Sequence, residues 1–289
     1  MTTTLVAGAT GYLGRFVVAE LHRRGHRVRA IVRDRKRAES PGPWEAPSLR
    51  GLVDEWAVGD VTDPTFAADV AEGMDHVVSA LGVTRQKANP WSIDYRANLA
   101  ILRSAERHRS QAFCFVNVIG GDECPAQLTR AKTAFARELA SSPVPHRIIS
   151  PSGYFSDMMQ LLDMARRGRI FLFGPNIRVN PIHGADLAEF CATRLLSGET
   201  GAWNVGGPEV LTWRELADYA FQALGRPAKV TRVPSAVLSP LVGALGVFTP
   251  RRADMMRFVS WSMLHDCVGE PTGTHRLLDF YHRQAIGKG

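Results

Sequence analysis

Three glycines within seven residues, Gly8, Gly11 and Gly14, stand between a short apolar run and an amphipathic segment, and they restrict the fold more than anything else in the chain. The turn reads Gly8, Ala9, Thr10, Gly11, Tyr12, Leu13, Gly14, with residues 5–7 read as a strand before it and residues 14–24 as a helix. Glycine at the first positions allows a tight turn and lets backbone N–H groups approach a pyrophosphate, while the last lets the helix lie close to the strand. The helix N-terminus adds partial positive charge for phosphates. Placed at the start of a β-α-β unit of this length, the motif is a dinucleotide-binding fingerprint. Gly25 then closes the helix in the usual C-terminal position.

The rest of the first half repeats the alternation of short apolar runs and helix-like stretches. Strands are expected at 28–32, 53–58, 75–80, 112–118 and 146–150, with helices at 93–107 and 128–139. That rhythm predicts an α/β Rossmann fold, a doubly wound parallel sheet with helices on both faces. Residues 1–150 form the NAD(P)-binding core in this reading. Residues 151–289 form a smaller C-terminal substrate-binding or lid portion, interleaved with the core as one compact unit. In that portion, 169–173 and 177–179 flank Gly174, Pro175 and Asn176 and suggest a hairpin-like turn. A helix is expected at 186–196, a short strand at 203–205, and a capping box in which Thr212 and Glu215 open a helix at 213–224. Residues 40–47 are Pro-rich and read as a surface loop.

The end of the second strand carries the cofactor preference. An NAD site would place an acidic residue there, against the ribose hydroxyls. This chain has Arg33, followed by Asp34, Arg35, Lys36 and Arg37. A guanidinium favours the 2′-phosphate of NADP(H) over NAD(H), with Lys36 as a second cation, although Asp34 could still meet a ribose.

Composition narrows the alternatives. The chain is 45% hydrophobic and 22% charged, as expected of a folded protein. No apolar stretch reaches the ~20 residues of a membrane span, and no signal-peptide pattern opens the sequence, so a cytoplasmic location is expected. The net charge of +7 is scattered over many arginines, which argues against a nucleic-acid surface. Cys114, Cys124, Cys191 and Cys267 form no C-x-x-C pair and read as free thiols, and no metal site is expected.

The glycine turn, Val32 and Arg33, residues 59–63 (Gly, Asp, Val, Thr, Asp) and residues 79–82 (Ser, Ala, Leu, Gly) together resemble the atypical short-chain dehydrogenase/reductases. The nearest likeness is to NmrA-like proteins and divinyl-chlorophyllide vinyl reductases. Residues 179–183, 186–188, 206–212 and 273–281 extend it over nearly the whole chain. The resemblance implies that Thr10, Tyr12 and Leu13 belong with the glycines to the cofactor turn. It also implies that Asp60 and Val61 lie beside the adenine and that Ala80, Leu81 and Gly82 line the ribose and pyrophosphate. Pro151 to Phe155, including Tyr154, would bracket the nicotinamide.

One departure matters most. Short-chain dehydrogenases usually carry a Tyr-x-x-x-Lys pair, the tyrosine acting as acid and the lysine holding the nicotinamide ribose. Lys132 matches the lysine, but the tyrosine position is Leu128, and the serine expected after strand five is Asn117. The candidate catalytic residues are therefore Lys132, Asn117 and Tyr154. Protonation is open among Tyr154, His183, an ordered water and a hydroxyl of the substrate. Residues 235–264 are rich in methionine and aromatic residues and suggest a lid over a bulky aromatic substrate. The expected function is NADPH-dependent reduction of a conjugated aromatic carbonyl, such as a secondary-metabolite ketone or quinone. Carbon–carbon double-bond reduction, a non-catalytic redox sensor and a structural subunit are the alternatives.

Overall fold

The computed structural model describes residues 1–83, 88–174, 176–234 and 250–286, with side chains in the last stretch from residue 253 onward. Packing divides the chain into two compact units. The first holds Met1–Asn117, Ala131–Ser150 and Gly184–Trp203, and the second holds Val118–Arg130, Pro151–His183 and Asn204–Gly289.

In the first unit, β1 (Thr3–Ala7), β2 (Arg27–Val32), β3 (Glu55–Val58), β4 (His76–Ser79), β5 (Ala112–Val116) and β6 (His146–Pro151) run parallel in the order β3-β2-β1-β4-β5-β6. The apolar character of β1, β4 and β5 on both faces is what a doubly covered parallel strand requires. β9 (Gly201–Gly206) lies beside β6, and its last residues pair with β12 (Glu270–Pro271) within the second unit. Order reverses at β1, whose neighbours are β2 and β4, so the sheet has its switch point at the glycine turn. Phe113, Phe115 and Phe135 pack with Leu5, Val77, Ile101 and Ile148 in the core on one face of this sheet.

Helix α1 (Tyr12–Arg23) follows the turn and α2 (Arg35–Glu39) follows β2, with α3 (Pro64–Ala68) before β4. The helix expected at 93–107 begins earlier and in another form: Trp91–Ala97 is a π-helix, which passes into α4 (Asn98–Arg107). A π turn leaves carbonyls without their α-helical partners, and the Asn98 amide donates to two of them, Ile93 O at 3.3 Å and Asp94 O at 3.0 Å. Helix α5 (Gln127–Ala140) precedes β6, and α7 (Gly184–Leu196) packs against α1.

In the second unit, α6 (Phe155–Arg166), α8 (Trp213–Ala223) and α10 (Leu277–Ile286) share an apolar interior in which Phe155, Phe221 and Phe280 are fully buried. Thr212 and Glu215 form the expected capping box. The hairpin expected around Gly174 does not form. β7 (Ile170–Phe173) pairs in parallel with β11 (Val230–Val233), and β8 (Arg178–Val179) pairs with β10 (Leu211–Thr212). Glycine and asparagine marked a change of direction there, but the two runs find distant partners that bury Ile170, Leu172 and Val179. Of the expected lid, 235–249 lie outside the described residues, and Pro250–Ser262 is a helix, α9. Among the described residues, no helix is long and apolar enough to cross a membrane. The four cysteines are free and buried.

Candidate functional site

A cleft of about 400 Å³ opens at the C-terminal ends of β1, β2, β3 and β4. Its lining brings together Gly8, Thr10, Gly11, Arg33, Asp60, Val61, Ala80, Leu81 and Gly82, nine residues that the sequence reading placed around a dinucleotide. Gly8 has φ +77°, and a Cβ there would stand 2.6 Å from the Ala80 carbonyl oxygen, so only glycine lets β1 and β4 close up at this point. A Cβ on Gly14 would come within 2.1 Å of the Gly8 carbonyl oxygen, which is the helix-against-strand approach the motif is built for. Of the other turn residues, Leu13 is buried in the core, and Tyr12 accepts the Gly184 N–H at 3.1 Å through its hydroxyl. A glycine-walled cleft facing a helix N-terminus fits a pyrophosphate.

At the far side, Arg33 is exposed at the cleft wall. The neighbouring Asp34 is turned to another task, since its carboxylate caps α2 by accepting the Arg37 N–H at 3.2 Å. Lys36 lies on α2, outside the lining. Asp60 accepts both the N–H and the hydroxyl of Thr62, at 2.9 and 2.7 Å. Those bonds, with a smaller contribution from Arg33, hold its carboxyl below the usual range.

The sequence reading missed Arg15, a buried cation on α1 whose guanidinium donates to the carbonyls of Arg37, Ala38, Ser40 and Pro47. It pins the Pro-rich loop, in which Trp44 and Glu45 take left-handed backbone angles. It missed Ile31, Gly59, Thr62, Asn89, Ser92 and Ile93 as lining residues as well. The last three come from the π-helix and its approach, which begin before the helix expected at 93–107. Thr62 was the most readable of them, because Asp-x-Thr is a common local turn.

The residues weighed for catalysis, with Leu128 and Pro151 beside them, are placed as follows. Lys132 donates to the carbonyls of Leu81 at 3.1 Å and Val116 at 3.0 Å, and stands 3.3 Å from Asp94 Oδ1. Asn117 follows β5, and its Oδ1 is buried with no hydrogen-bond partner among the described residues. Leu128 is buried near the start of α5, where Asp254 accepts the N–H groups of Gln127 and Leu128 at 2.8 and 3.4 Å. In the second unit, Pro151 ends β6, and Tyr154 is half-buried at the start of α6, bridged to Ile182. His183 is buried, stacked on His275 with ring centroids 4.2 Å apart and edge-on to Phe155. None of these six lines the cleft. Among the described residues, no cluster of three His, Cys, Asp or Glu side chains could hold a metal ion.

Comparison with known proteins adds to this geometry. A family model described as NAD(P)H-binding matches residues 8–197. The chain is 31% identical over 262 residues to the chloroplastic divinyl chlorophyllide a 8-vinyl-reductase of Zea mays, covering 84% of this chain and 65% of that protein. It thus spans less than two thirds of the length of that reductase. It is 23% identical to the photosystem II assembly factor Ycf39 of Trieres chinensis, over 84% of this chain and 76% of that one. Among solved structures, an NADPH-dependent quinone oxidoreductase from Escherichia coli superposes with a TM-score of 0.75 at 17% identity, covering 97% of this chain and 99% of that one. That last likeness concerns the fold. The carbonyl reduction expected from the sequence finds no support in the names of the sequence relatives, which describe vinyl reduction and complex assembly, and nothing in them points to secondary metabolism.

Proposed function

This chain belongs to the NAD(P)H-binding family, and from that premise we propose that it is an NADPH-dependent reductase of a carbon–carbon double bond conjugated to a large, flat aromatic molecule. The observation that carries the reading is Leu128 at the position of the usual tyrosine acid, in a chain 31% identical to a vinyl reductase. Reduction of a ketone builds negative charge on one oxygen, which a nearby acid must meet. Reduction of a conjugated vinyl group spreads that charge over the ring system, and water can supply the proton at carbon.

The residues divide the work. Gly8, Gly11 and the start of α1 receive the pyrophosphate, and Arg33 takes the 2′-phosphate while Asp34 is occupied in capping. Asp60 and Val61 flank the adenine, and Ala80, Leu81 and Gly82 form the wall along the ribose. When bound, the nicotinamide supplies a hydride, and a solvent proton completes the addition of two hydrogen atoms across the double bond. Asn117, which follows β5 in the same unit, is proposed as an acceptor for a polar edge at the nicotinamide end.

The test is anaerobic incubation of the purified protein with NADPH and divinyl chlorophyllide. The expected product is heavier by two hydrogen atoms, with NADPH consumed in equal amount. Turnover of aromatic ketones alone would return the reading to carbonyl reduction. Tight NADPH binding with no turnover of either class would favour a second reading, a cofactor-binding assembly protein, for which the same Leu128 and the likeness to Ycf39 speak.

A further inference from the structure

Beneath the cleft wall lies a buried ion pair that the reaction above does not use. Asp94, in the π-helix, is completely buried, and burial pushes its carboxyl up while Lys132 pulls it down. Its Oδ2 accepts the Val83 N–H at 3.2 Å, and Oδ1 lies 3.3 Å from Lys132 Nζ. The Lys132 ammonium in turn donates to Leu81 O and Val116 O and stands over the Phe115 ring. Gly82 is seated directly on the pair, since a Cβ there would be 3.3 Å from Nζ and 3.4 Å from Asp94 Oδ1. Asn98 continues the network, holding the Asp94 carbonyl with its amide and accepting from the Ser79 hydroxyl.

Two stretches of the cleft lining therefore meet at one charge pair. Leu81 and Gly82 are held from below by Lys132, and Ser92 and Ile93 directly precede Asp94 in the π-helix. A lysine serving as a ribose ligand needs free N–H groups pointing to the cofactor. Two of the three here are given to backbone carbonyls, and a carboxylate faces the charge.

We infer that Asp94 and Lys132 form a positioning pair that sets the shape of the cofactor cleft from beneath, in place of the ribose-binding role that a lysine at this helical position usually has. The inference rests on the cleft being the cofactor site, and it assigns Lys132 an action through Leu81 and Gly82 with no direct contact to the ligand.

The experiment compares Asp94→Asn, Lys132→Met and the double variant in calorimetric titrations with two probes, NADP⁺ and adenosine 2′,5′-bisphosphate. The second probe lacks the nicotinamide ribose. A ribose ligand lost by Lys132→Met would weaken NADP⁺ and leave the bisphosphate untouched, and that result would overturn the inference. A positioning pair predicts that each single variant weakens both probes by the same factor, about tenfold, because each leaves a buried charge unmatched beneath the wall. The double variant, with no charge left to match, is expected within about threefold of wild type, the non-additivity of a coupled pair. Single variants that bind both probes like wild type also overturn it. Should a single variant fail to fold by circular dichroism, the double variant decides. Near-wild-type binding of both probes upholds the pair, and selective loss of NADP⁺, or loss of both beyond tenfold, overturns it. Wild-type protein that binds neither probe would remove the cofactor reading itself, and this inference with it.

Discussion

The two ends of the parallel sheet in the first unit are built on opposite plans. At the C-terminal ends of β1, β2, β3 and β4, the lining is largely glycine, small residues and open backbone, with Arg33 and Asp60 the only ionisable residues in it among the described residues. At the N-terminal ends, side chains close what the backbone leaves open. Asp75 accepts the Thr3 N–H at 2.8 Å, Asp54 accepts the Val28 N–H at 2.8 Å, and the Thr4 hydroxyl meets His26 Nδ1 at 2.8 Å. His26, His76 and Arg147 are buried there as well. One end keeps its hydrogen-bonding capacity for a ligand, and the other spends it on the fold. Charge buried at the closed end therefore bears on stability, whereas a methyl group added at the open end bears on binding.

The largest expected break of this contrast comes from Gly14→Val. The atoms its Cβ would meet, at 2.1 to 2.9 Å, are all backbone of Gly8 and Ala9, so nothing can move aside cheaply. NADP⁺ binding should weaken about a hundredfold or more, roughly 2.7 kcal/mol, by isothermal calorimetry. Retained affinity would mean that the turn does not carry the pyrophosphate.

Arg33→Ala sharpens the contrast at an exposed cation of the cleft wall. NADP⁺ should lose about 1.5 to 3 kcal/mol, the size of a charge-assisted contact, while NAD⁺ binding stays unchanged. Equal losses for both cofactors would show that Arg33 supports the cleft without reading the 2′-phosphate.

The smallest effect belongs to the closed end and to pH. Burial, chiefly, lowers the His26 and His76 pKa values below the usual 6.5. Arg24 lowers His26 further, and His26 and Arg147 lower His76 further, while Asp75 opposes both shifts. Both rings are thus neutral in the folded protein at a pH where the unfolded chain already binds protons, so protonation favours unfolding. Stability is complete above about pH 6.5 and falls as pH drops below that value, before carboxylates begin to titrate. Urea midpoints at pH 7.5 and 5.5 should differ in that direction, and His76→Phe should shrink the difference. Identical wild-type midpoints would show that these rings are open to water.

How much of this was legible follows the same division. The glycine turn, Arg33 and the 79–82 segment could be read because their constraint is local: a positive φ, a close approach, a cation at a fixed distance along the chain from a strand. The capping box at Thr212 and Glu215 was readable for the same reason. Arg15 was not, since nothing in its neighbours announces that four carbonyls from 37–47 will converge on it. Asp94 fell inside the helix expected at 93–107 with nothing to single it out, because its partner Lys132 comes from α5, far along the chain. The pairing of β7 and β8 failed in the same way, decided by distant partners and not by the turn between them.

The π-helix at Trp91–Ala97 places an unusual demand on the chain's history. Removing one residue from an ordinary surface loop shortens a connection, and the flanking elements stay put. Removing one from this stretch would restore an α-helical register and swing everything before the deletion by roughly 100° about the axis. Ser92 and Ile93 would leave the cleft while α4 remained where it is. Across these seven positions the count of residues, as well as their identity, sets where Ser92 and Ile93 stand relative to α4.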